Sequence, residues 1–319
     1  MTTTRRRLLL GLAALAGAGL PLPGRALMAG TAPDTADARI DPNTAASAWT
    51  SAVAVIVNGG AYSGVVVAPG YVLTAAHVTG AAAPASVRVQ INASATPVLI
   101  GATAIVTFAS ASFPYDDLAL ITLAQPVPET VEILPIYPQT PPPHQAITLV
   151  GQGWSGQGDV GPMVAKSASV KRAGLNAIDA TQTTVDASGR TSLFYLFDFD
   201  GPTGGGAFGG ATLGNTFETG LASGDSGSPA YATIAGKRWL LGINNLTAPA
   251  PGGTAVDFKF GTIGGGILLS DPRFITWLTT QTQGTLGQSS ASTGQVPLPA
   301  WAVGTLGLLL SRALQRADA

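Results

Sequence analysis

Cysteine is absent from this chain of 319 residues, and histidine occurs only twice. The chain can therefore form no disulfide bond, no thiolate metal site and no cysteine nucleophile. We expect no bound metal and no cofactor. Any chemistry that needs an imidazole must use His77 or His144.

Charge is also scarce, since only 10% of the residues are charged and the formal net charge is −1. Nucleic-acid binding needs clustered Lys and Arg, and no basic run occurs outside the N-terminus, so we expect no nucleic-acid partner. The length allows one large β domain or two smaller lobes with a substantial core.

The N-terminus predicts an export signal. Three arginines at residues 5–7 precede a short apolar stretch at 8–16, which is too short to span a bilayer comfortably because spanning needs about 20 residues. We assign residues 1–30 to the signal, with cleavage between Ala26 and Ala32, and residues 31–39 to a short propeptide. The arginines resemble a twin-arginine signal, although ordinary secretory signals are also arginine-rich. The expected location is the periplasm, the cell surface or the medium.

The C-terminus shows a different pattern. Residues 284–295 are rich in Gly, Ser, Thr and Gln without periodicity and read as a linker. Residues 296–319 begin with VPLPA, continue through an apolar segment and end with Arg312 and Arg316. This order resembles PEP-CTERM sorting signals, which implies transient association with the inner membrane and processing by an exosortase. An amphipathic or disordered tail is the alternative interpretation.

The body of the chain consists of short β-branched runs separated by turn residues, with almost no helical periodicity. Asn58-Gly59-Gly60 between two such runs is a hairpin signal. Regular spacing of this kind predicts all-β lobes. The clear exception is a late helix, which Asp271 and Pro272 would start and in which one face is apolar.

Three short motifs carry the chemistry: residues 72–77 (VLTAAH), 117–120 (DLAL) and 224–229 (GDSGSP). They offer an imidazole, a carboxylate before an apolar strand, and a serine on a glycine-flanked turn, which together are the groups that acyl transfer needs. The motifs and their order resemble those of chymotrypsin-like (trypsin-fold) serine proteases, over roughly residues 40–281. The resemblance implies two six-stranded antiparallel β-barrels with a C-terminal helix, which we place at about 40–150 and 151–283.

Roles follow from the chemistry and from this resemblance. Ser226 is the predicted nucleophile and His77 the general base, because His144 follows three prolines, a poor place for a precisely held ring. Asp117, rather than its neighbour Asp116, would orient the imidazole. Main-chain N–H groups of Gly224 and Ser226 would form the oxyanion hole.

The resemblance also implies roles for the residues around the nucleophile. Asp225 would receive the α-ammonium of a newly cleaved N-terminus, and Arg39-Ile40 offers one such cleavage site, unless it belongs to a plain leader. Gly220, Thr247 and Gly266 would line a neutral substrate pocket for apolar or small residues; a register shift would instead bring Glu218 into it. Asp198-Phe199-Asp200-Gly201 matches only a fragment of a calcium loop, and residues 204–210 read as a flexible surface loop.

The predicted function is therefore an exported serine endopeptidase that cleaves polypeptides through an acyl-enzyme. Two alternatives stay open at this point. One is a catalytically silent binding protein on a protease fold, and the other is an esterase that uses the same three residues.

Overall fold

The computed structural model describes residues 27–289. The predicted signal up to residue 26, the end of the linker and the 296–319 sorting segment lie outside the described residues. Between residues 27 and 289, no helix is long and apolar enough to cross a membrane.

The chain folds into two β lobes, with a short strand near the N-terminus, β1 (Met28–Ala29), attached to the second lobe. The first lobe contains β2 (Ala52–Val57), β3 (Gly60–Ala68), β4 (Tyr71–Ala75), β5 (Val87–Ile91), β6 (Val98–Thr107) and β7 (Leu118–Leu123). These six strands close into a barrel in the order β2-β3-β4-β7-β6-β5. A closed barrel leaves no unpaired edge, and the valines and isoleucines of β2 and β7 fill its interior.

The turn between β2 and β3 shows how local sequence sets the barrel register. Val57 pairs with Gly60, so Asn58 and Gly59 form a two-residue loop. Both have positive φ angles, 49° and 84°, which Asn and Gly tolerate and which match the twist of the flanking strands. The hairpin predicted from these residues is confirmed.

The second lobe contains the remaining strands: β8 (Ala146–Gly151), β9 (Ser155–Gln157), β10 (Gly161–Val164), β11 (Arg172–Ala177), β12 (Ala180–Val185), β13 (Thr191–Asp198), β14 (Pro229–Ile234), β15 (Lys237–Ala248) and β16 (Ile263–Leu268). Seven of them form one antiparallel sheet in the order β11-β8-β14-β15-β16-β13-β12, one strand more than predicted. The others form a small sheet in which β1 runs parallel to β9 and β10 runs antiparallel to it.

Two α-helices complete the described part of the chain: α1 (Ala76–Thr79) and α2 (Pro272–Gln281). Asp271 caps α2 by accepting a hydrogen bond from the main-chain N–H of Arg273 at 2.8 Å. Phe274 and Leu278 bury its apolar face, as the sequence pattern predicts. The predicted all-β, chymotrypsin-like fold with a C-terminal helix is confirmed.

One hydrophobic cluster joins the lobes. Leu73 and Leu118 from the barrel pack in the same buried group as Ile243, Ile267 and Phe274 from the second lobe. Because this cluster is fully buried, it holds the facing ends of β4, β7 and β15 in a fixed relation. Those ends carry the candidate site.

Candidate active site

Ser226 lies on a turn that only glycine neighbours permit. Gly224 and Gly227 have φ angles of 96° and 84°, in the left-handed region. A Cβ at Gly227 would lie 2.0 Å from the Thr74 hydroxyl oxygen, so no side chain fits there. The main-chain N–H of Gly227 donates to the Asn244 carbonyl at 2.8 Å, which ties the turn to β15.

Ser63 fixes the same turn from the barrel side, and sequence analysis missed it. Its hydroxyl donates to the Gly224 carbonyl at 3.0 Å, and its main-chain N–H donates to the Ser226 carbonyl at 3.3 Å. Two carbonyls of the turn are thereby held by one residue of β3. A serine in the middle of a strand carries no sequence signal for this role.

His77 lies in the first turn of the short helix α1, which begins at Ala76 directly after β4. The main-chain N–H of Ala76 donates to the Asp117 carbonyl at 3.1 Å, and that of His77 donates to the Asp117 carboxylate at 2.8 Å. The end of β4 is therefore tied to the start of β7, its partner in the barrel. This pairing places the imidazole beside the carboxylate.

The imidazole and the carboxylate form a short hydrogen bond. His77 Nδ1 lies 2.6 Å from Asp117 Oδ2, and the same oxygen accepts a bond from Asn245 Nδ2 at 3.2 Å. Because an ionised carboxylate only accepts, Nδ1 must carry a proton, which leaves Nε2 of a neutral ring free to accept one. Asn245, which sequence analysis also missed, thus helps to hold Asp117 in place.

Asp116 has a different environment from its neighbour. It is fully buried, accepts hydrogen bonds from the hydroxyls of Ser110 and Ser192, and pairs with Arg273 at 3.2 Å. These contacts link β7 to the second lobe and to α2. Asp117 alone of the two acids contacts His77 in the described structure.

A cleft of about 460 Å³ brings the candidate residues together, since both His77 and Ser226 line it. Phe113 stands at its rim, 59% exposed, with its ring edge-on to the His77 imidazole at 5.1 Å between centroids. His144 does not line this cleft. The structure therefore places the three predicted residues, His77, Asp117 and Ser226, at one site.

The proposed oxyanion donors are available in this conformation. Within residues 27–289, the main-chain N–H groups of Gly224 and Ser226 donate to no protein acceptor. Free N–H groups beside a nucleophile are the donors that stabilise a developing oxyanion.

Asp225 is completely buried behind the nucleophile. Its carboxylate accepts main-chain hydrogen bonds from Gly153 and Ala222, both at 2.9 Å. Burial raises the pKa of Asp225 to about 7, against the opposing effect of these two bonds and of the more distant Arg172 and Lys166.

Arg39 and Ile40 have partners of their own in the fold. The Arg39 side chain is fully buried, and its Nε donates to Asp34 at 3.0 Å. Ile40 is 41% exposed and forms a bridge with Arg172. In this fold, the bond after Arg39 is part of a packed, ion-paired segment.

The predicted pocket residues separate into two groups. Thr247 lines the cleft, whereas a Cβ at Gly220 would meet the Phe199 ring at 2.8 Å and one at Gly266 would meet the Ile243 carbonyl at 2.1 Å. Those two glycines allow close packing behind the cleft and do not border it. The other lining residues around Thr247 include the apolar Leu221, Ala222, Leu246 and Phe258 and the polar Ser223, Asn244, Asn245 and Asp225.

Glu218 does not enter the cleft. It is buried, accepts a hydrogen bond from the main-chain N–H of Leu213 at 2.7 Å, and lies among other acids. Burial first, and then the charges of Asp200, Asp198 and Asp179, raise its pKa to about 8. The pocket therefore has no contribution from this carboxylate.

The acids around Glu218 bind main-chain amides. Asp198 and Asp200 accept hydrogen bonds from the N–H groups of Phe208 and Gly206, which tie down the glycine-rich loop. No group of three or more His, Asp or Glu side chains in the described part of the chain is placed to hold a metal ion.

Two β lobes with a His-Asp pair and a glycine-flanked serine in the cleft between them define a trypsin-fold, protease-like protein. Residues 62–243, more than half of the chain, match the family model described as the trypsin-like peptidase domain. The chain belongs to this family. A comparison with curated proteins finds no similar sequence.

Proposed function

We propose that this protein is a serine endopeptidase. The single observation that supports it best is the 2.6 Å contact between His77 Nδ1 and Asp117, at a cleft that Ser226 also lines. A Ser-His-Asp set at one cleft is what acyl transfer to a serine hydroxyl requires.

The reaction would proceed in two halves. The Ser226 hydroxyl attacks the scissile carbonyl while His77 Nε2 takes its proton, and the N–H groups of Gly224 and Ser226 stabilise the oxyanion. His77 then donates that proton to the leaving amine, which departs and leaves an acyl-enzyme. Water, deprotonated by His77, attacks the ester; the bond to the Ser226 oxygen then breaks, that oxygen takes the proton back from His77, and the acid is released.

Asp117 would stabilise the positive imidazolium that forms in each half. Only 1% of the Asp117 side chain is exposed, and this burial strengthens its interaction with the imidazolium. The His77 side chain is 31% exposed. Asn245 and the His77 main-chain N–H keep both carboxylate oxygens occupied and the ring oriented.

The substrate class we propose is a polypeptide with an uncharged, apolar or small residue before the cleaved bond. Leu221, Thr247 and Phe258 line the cleft without contributing charge. A Lys or Arg side chain would be expensive to bury there, since Glu218 is bonded elsewhere and both carboxylate oxygens of Asp225, an acid that does line the cleft, already accept main-chain hydrogen bonds.

Labelling with a fluorophosphonate probe tests the catalytic proposal. We expect the purified, processed protein to be labelled at Ser226 and Ser226→Ala to remain unlabelled; Ser228→Ala is the matched control, because Ser228 is a buried serine two residues away. Absence of labelling in folded, processed protein would contradict the proposal and favour a silent binding protein.

Peptide libraries then separate a peptidase from an esterase. Cleavage of amide bonds after apolar or small residues, lost in Ser226→Ala, supports the peptidase. Hydrolysis of esters alone, with no peptide cleaved, would favour the esterase alternative.

We also propose that the protein is exported and transiently attached to the inner membrane through its VPLPA tail. The arginines before the apolar start and the apolar segment before Arg312 support this proposal. Fractionation of cells that express the full chain, with and without residues 296–319, tests it. Equal release of both forms would exclude a role for the tail.

A further inference from the structure

Lys166 places a positive charge beside the turn that contains Ser226. Its side chain is half-buried, and its ammonium forms no ion pair with an acid among residues 27–289. The ammonium instead lies over the Tyr62 ring, 4.1 Å from the ring centroid. Burial lowers the pKa of Lys166, and the charge of Asp225 only partly opposes this effect. Because desolvation is costly for a cation, an anion that reaches this ammonium gains a favourable partner.

The aliphatic part of Lys166 packs against Gly224, which offers one of the proposed oxyanion donors. A Cβ at Gly224 would lie 2.8 Å from Lys166 Cδ and 3.4 Å from the Ala61 carbonyl oxygen. The lysine therefore covers Gly224 on a face where no side chain fits. Since the ammonium nitrogen is two bonds beyond Cδ, its charge lies next to the position at which the scissile carbonyl would bind.

The segment that contains Lys166, between β10 and β11, is bonded to both lobes. The main-chain N–H of Ser167 donates to the carbonyl of Gln152, in the second lobe, at 3.3 Å. The Ala168 carbonyl accepts a hydrogen bond from Nδ2 of Asn92, which directly follows β5 of the barrel, at 2.7 Å. These bonds fix the main chain on the C-terminal side of Lys166 and so hold its side chain near the site.

Lys166 and Tyr62 lie outside the cleft. Neither lines it, and the part of the cleft proposed to hold the residue before the cleaved bond belongs to the second lobe. Tyr62 lies on β3 directly before Ser63, whose bonds to the carbonyls of Gly224 and Ser226 fix β3 on the barrel side of the turn. A substrate with its preceding residue in the cleft and its carbonyl at Ser226 therefore directs the chain after the cleaved bond along β3, towards Lys166.

We propose that Lys166 determines specificity on the leaving side of the substrate, by binding a carboxylate of the first or second residue after the cleaved bond. An extended chain advances about 3.3 Å per residue, so only the first residues after the bond pass an ammonium held this close to Gly224. In a polypeptide, this carboxylate is an Asp or Glu side chain or the free C-terminus. The inference rests on the proposed function and extends it: the substrate has an uncharged residue before the bond and an acidic group after it.

Two kinds of matched peptides test this specificity. In the first, Asp or Asn occupies the first or second position after the bond and the C-terminus is an amide. In the second, the peptide ends at the second residue after the bond, as a free acid or as an amide. With at least one kind, the wild-type enzyme should have a kcat/KM about tenfold higher for the acidic peptide, the size of a hydrogen bond between charged groups. The kind that shows the preference identifies the source of the carboxylate.

Charge variants assign the preference to Lys166. Lys166→Met should abolish the acidic preference, and Lys166→Glu should reverse it. Lys237→Met is the matched control, because Lys237 Nζ also lies 4.1 Å from a ring centroid, that of Trp239, but in the β14–β15 hairpin and not at the cleft. This control should keep the preference. Equal kcat/KM for acidic and neutral peptides in the wild type, or an acidic preference that survives in Lys166→Met, would overturn the inference.

A binding measurement does not depend on turnover. In Ser226→Ala, fluorescence polarisation should show about tenfold tighter binding of the acidic peptide than of its neutral partner, and adding Lys166→Met should remove this difference. If fluorophosphonate labels no form but the difference in affinity is found, the proposed function fails and Lys166 remains a carboxylate-binding residue. Labelling of Ser226 together with equal affinities would refute the carboxylate site and leave the peptidase proposal in place.

Discussion

Replacing Asp117 with asparagine removes one charge while it keeps the size of the side chain. At present one carboxylate oxygen accepts from the His77 main-chain N–H at 2.8 Å, and the other accepts from Nδ1 at 2.6 Å and from Asn245 at 3.2 Å. In Asp117→Asn, if the amide oxygen keeps the hydrogen bond from the His77 main-chain N–H, the NH₂ group faces the two donors His77 Nδ1 and Asn245 Nδ2. The imidazole must then present Nδ1 as an acceptor and carry its proton on Nε2.

A ring in that tautomer cannot take the proton of Ser226. We expect kcat/KM to fall by about 10⁴, the size known for this change in Ser-His-Asp triads, which is about 5 kcal/mol of transition-state stabilisation. KM should change little, because Asp117 lies behind the imidazole and not against the substrate. Steady-state kinetics on a cleaved peptide measures both constants.

Asp116→Asn is the matched control, since it makes the same chemical change one residue away. It weakens the contact with Arg273 and should lower the free energy of unfolding by about 1–3 kcal/mol, while kcat/KM of the folded enzyme stays within a few fold. Near-normal turnover in Asp117→Asn, or an equal 10⁴ loss in folded Asp116→Asn, would refute the assignment.

Three further predictions concern buried groups. Because burial raises the pKa of Glu218 to about 8, the folded state holds a proton that the unfolded chain loses near its usual value of 4.5, and stability falls as pH rises between these values. Glu218→Gln should flatten this dependence and gain about 3 kcal/mol at pH 7 in urea unfolding; an unchanged profile would contradict the shift. Gly227→Ala should destabilise by about 3 kcal/mol or more and abolish fluorophosphonate labelling, since its Cβ would lie 2.0 Å from Thr74; a normal melting temperature would exclude this clash. Arg39→Met leaves Asp34 buried without its cation and should cost about 3–5 kcal/mol in chemical denaturation, most of it recovered when Asp34→Leu is added.

Patterns of a few adjacent residues predict much of the fold. The hairpin at Asn58-Gly59 and the helix capped by Asp271 are both confirmed, because turn geometry and helix capping depend on a few adjacent residues. The second lobe has one strand more than the six predicted. Its edge strand β12 (Ala180–Val185) is mostly polar and is defined by its pairing with β13.

No local sequence pattern identifies the residues that contact the site from distant segments of the chain. Ser63 and Asn245 are ordinary residue types, and their roles come from contacts with segments more than 120 residues away. The family resemblance predicts Gly220 and Gly266 in the pocket. A resemblance between motifs cannot show that the Phe199 ring and the Ile243 carbonyl occupy the space beside these glycines.

The sequence by itself determined the β class, the late helix and the three residue types that suit acyl transfer, because turns, caps and glycine-flanked serines are local chemistry. Only the tertiary structure decided which of two adjacent aspartates meets His77 and which residues border the cleft. These questions concern burial and distance between segments that the chain brings together only when both lobes pack on one core.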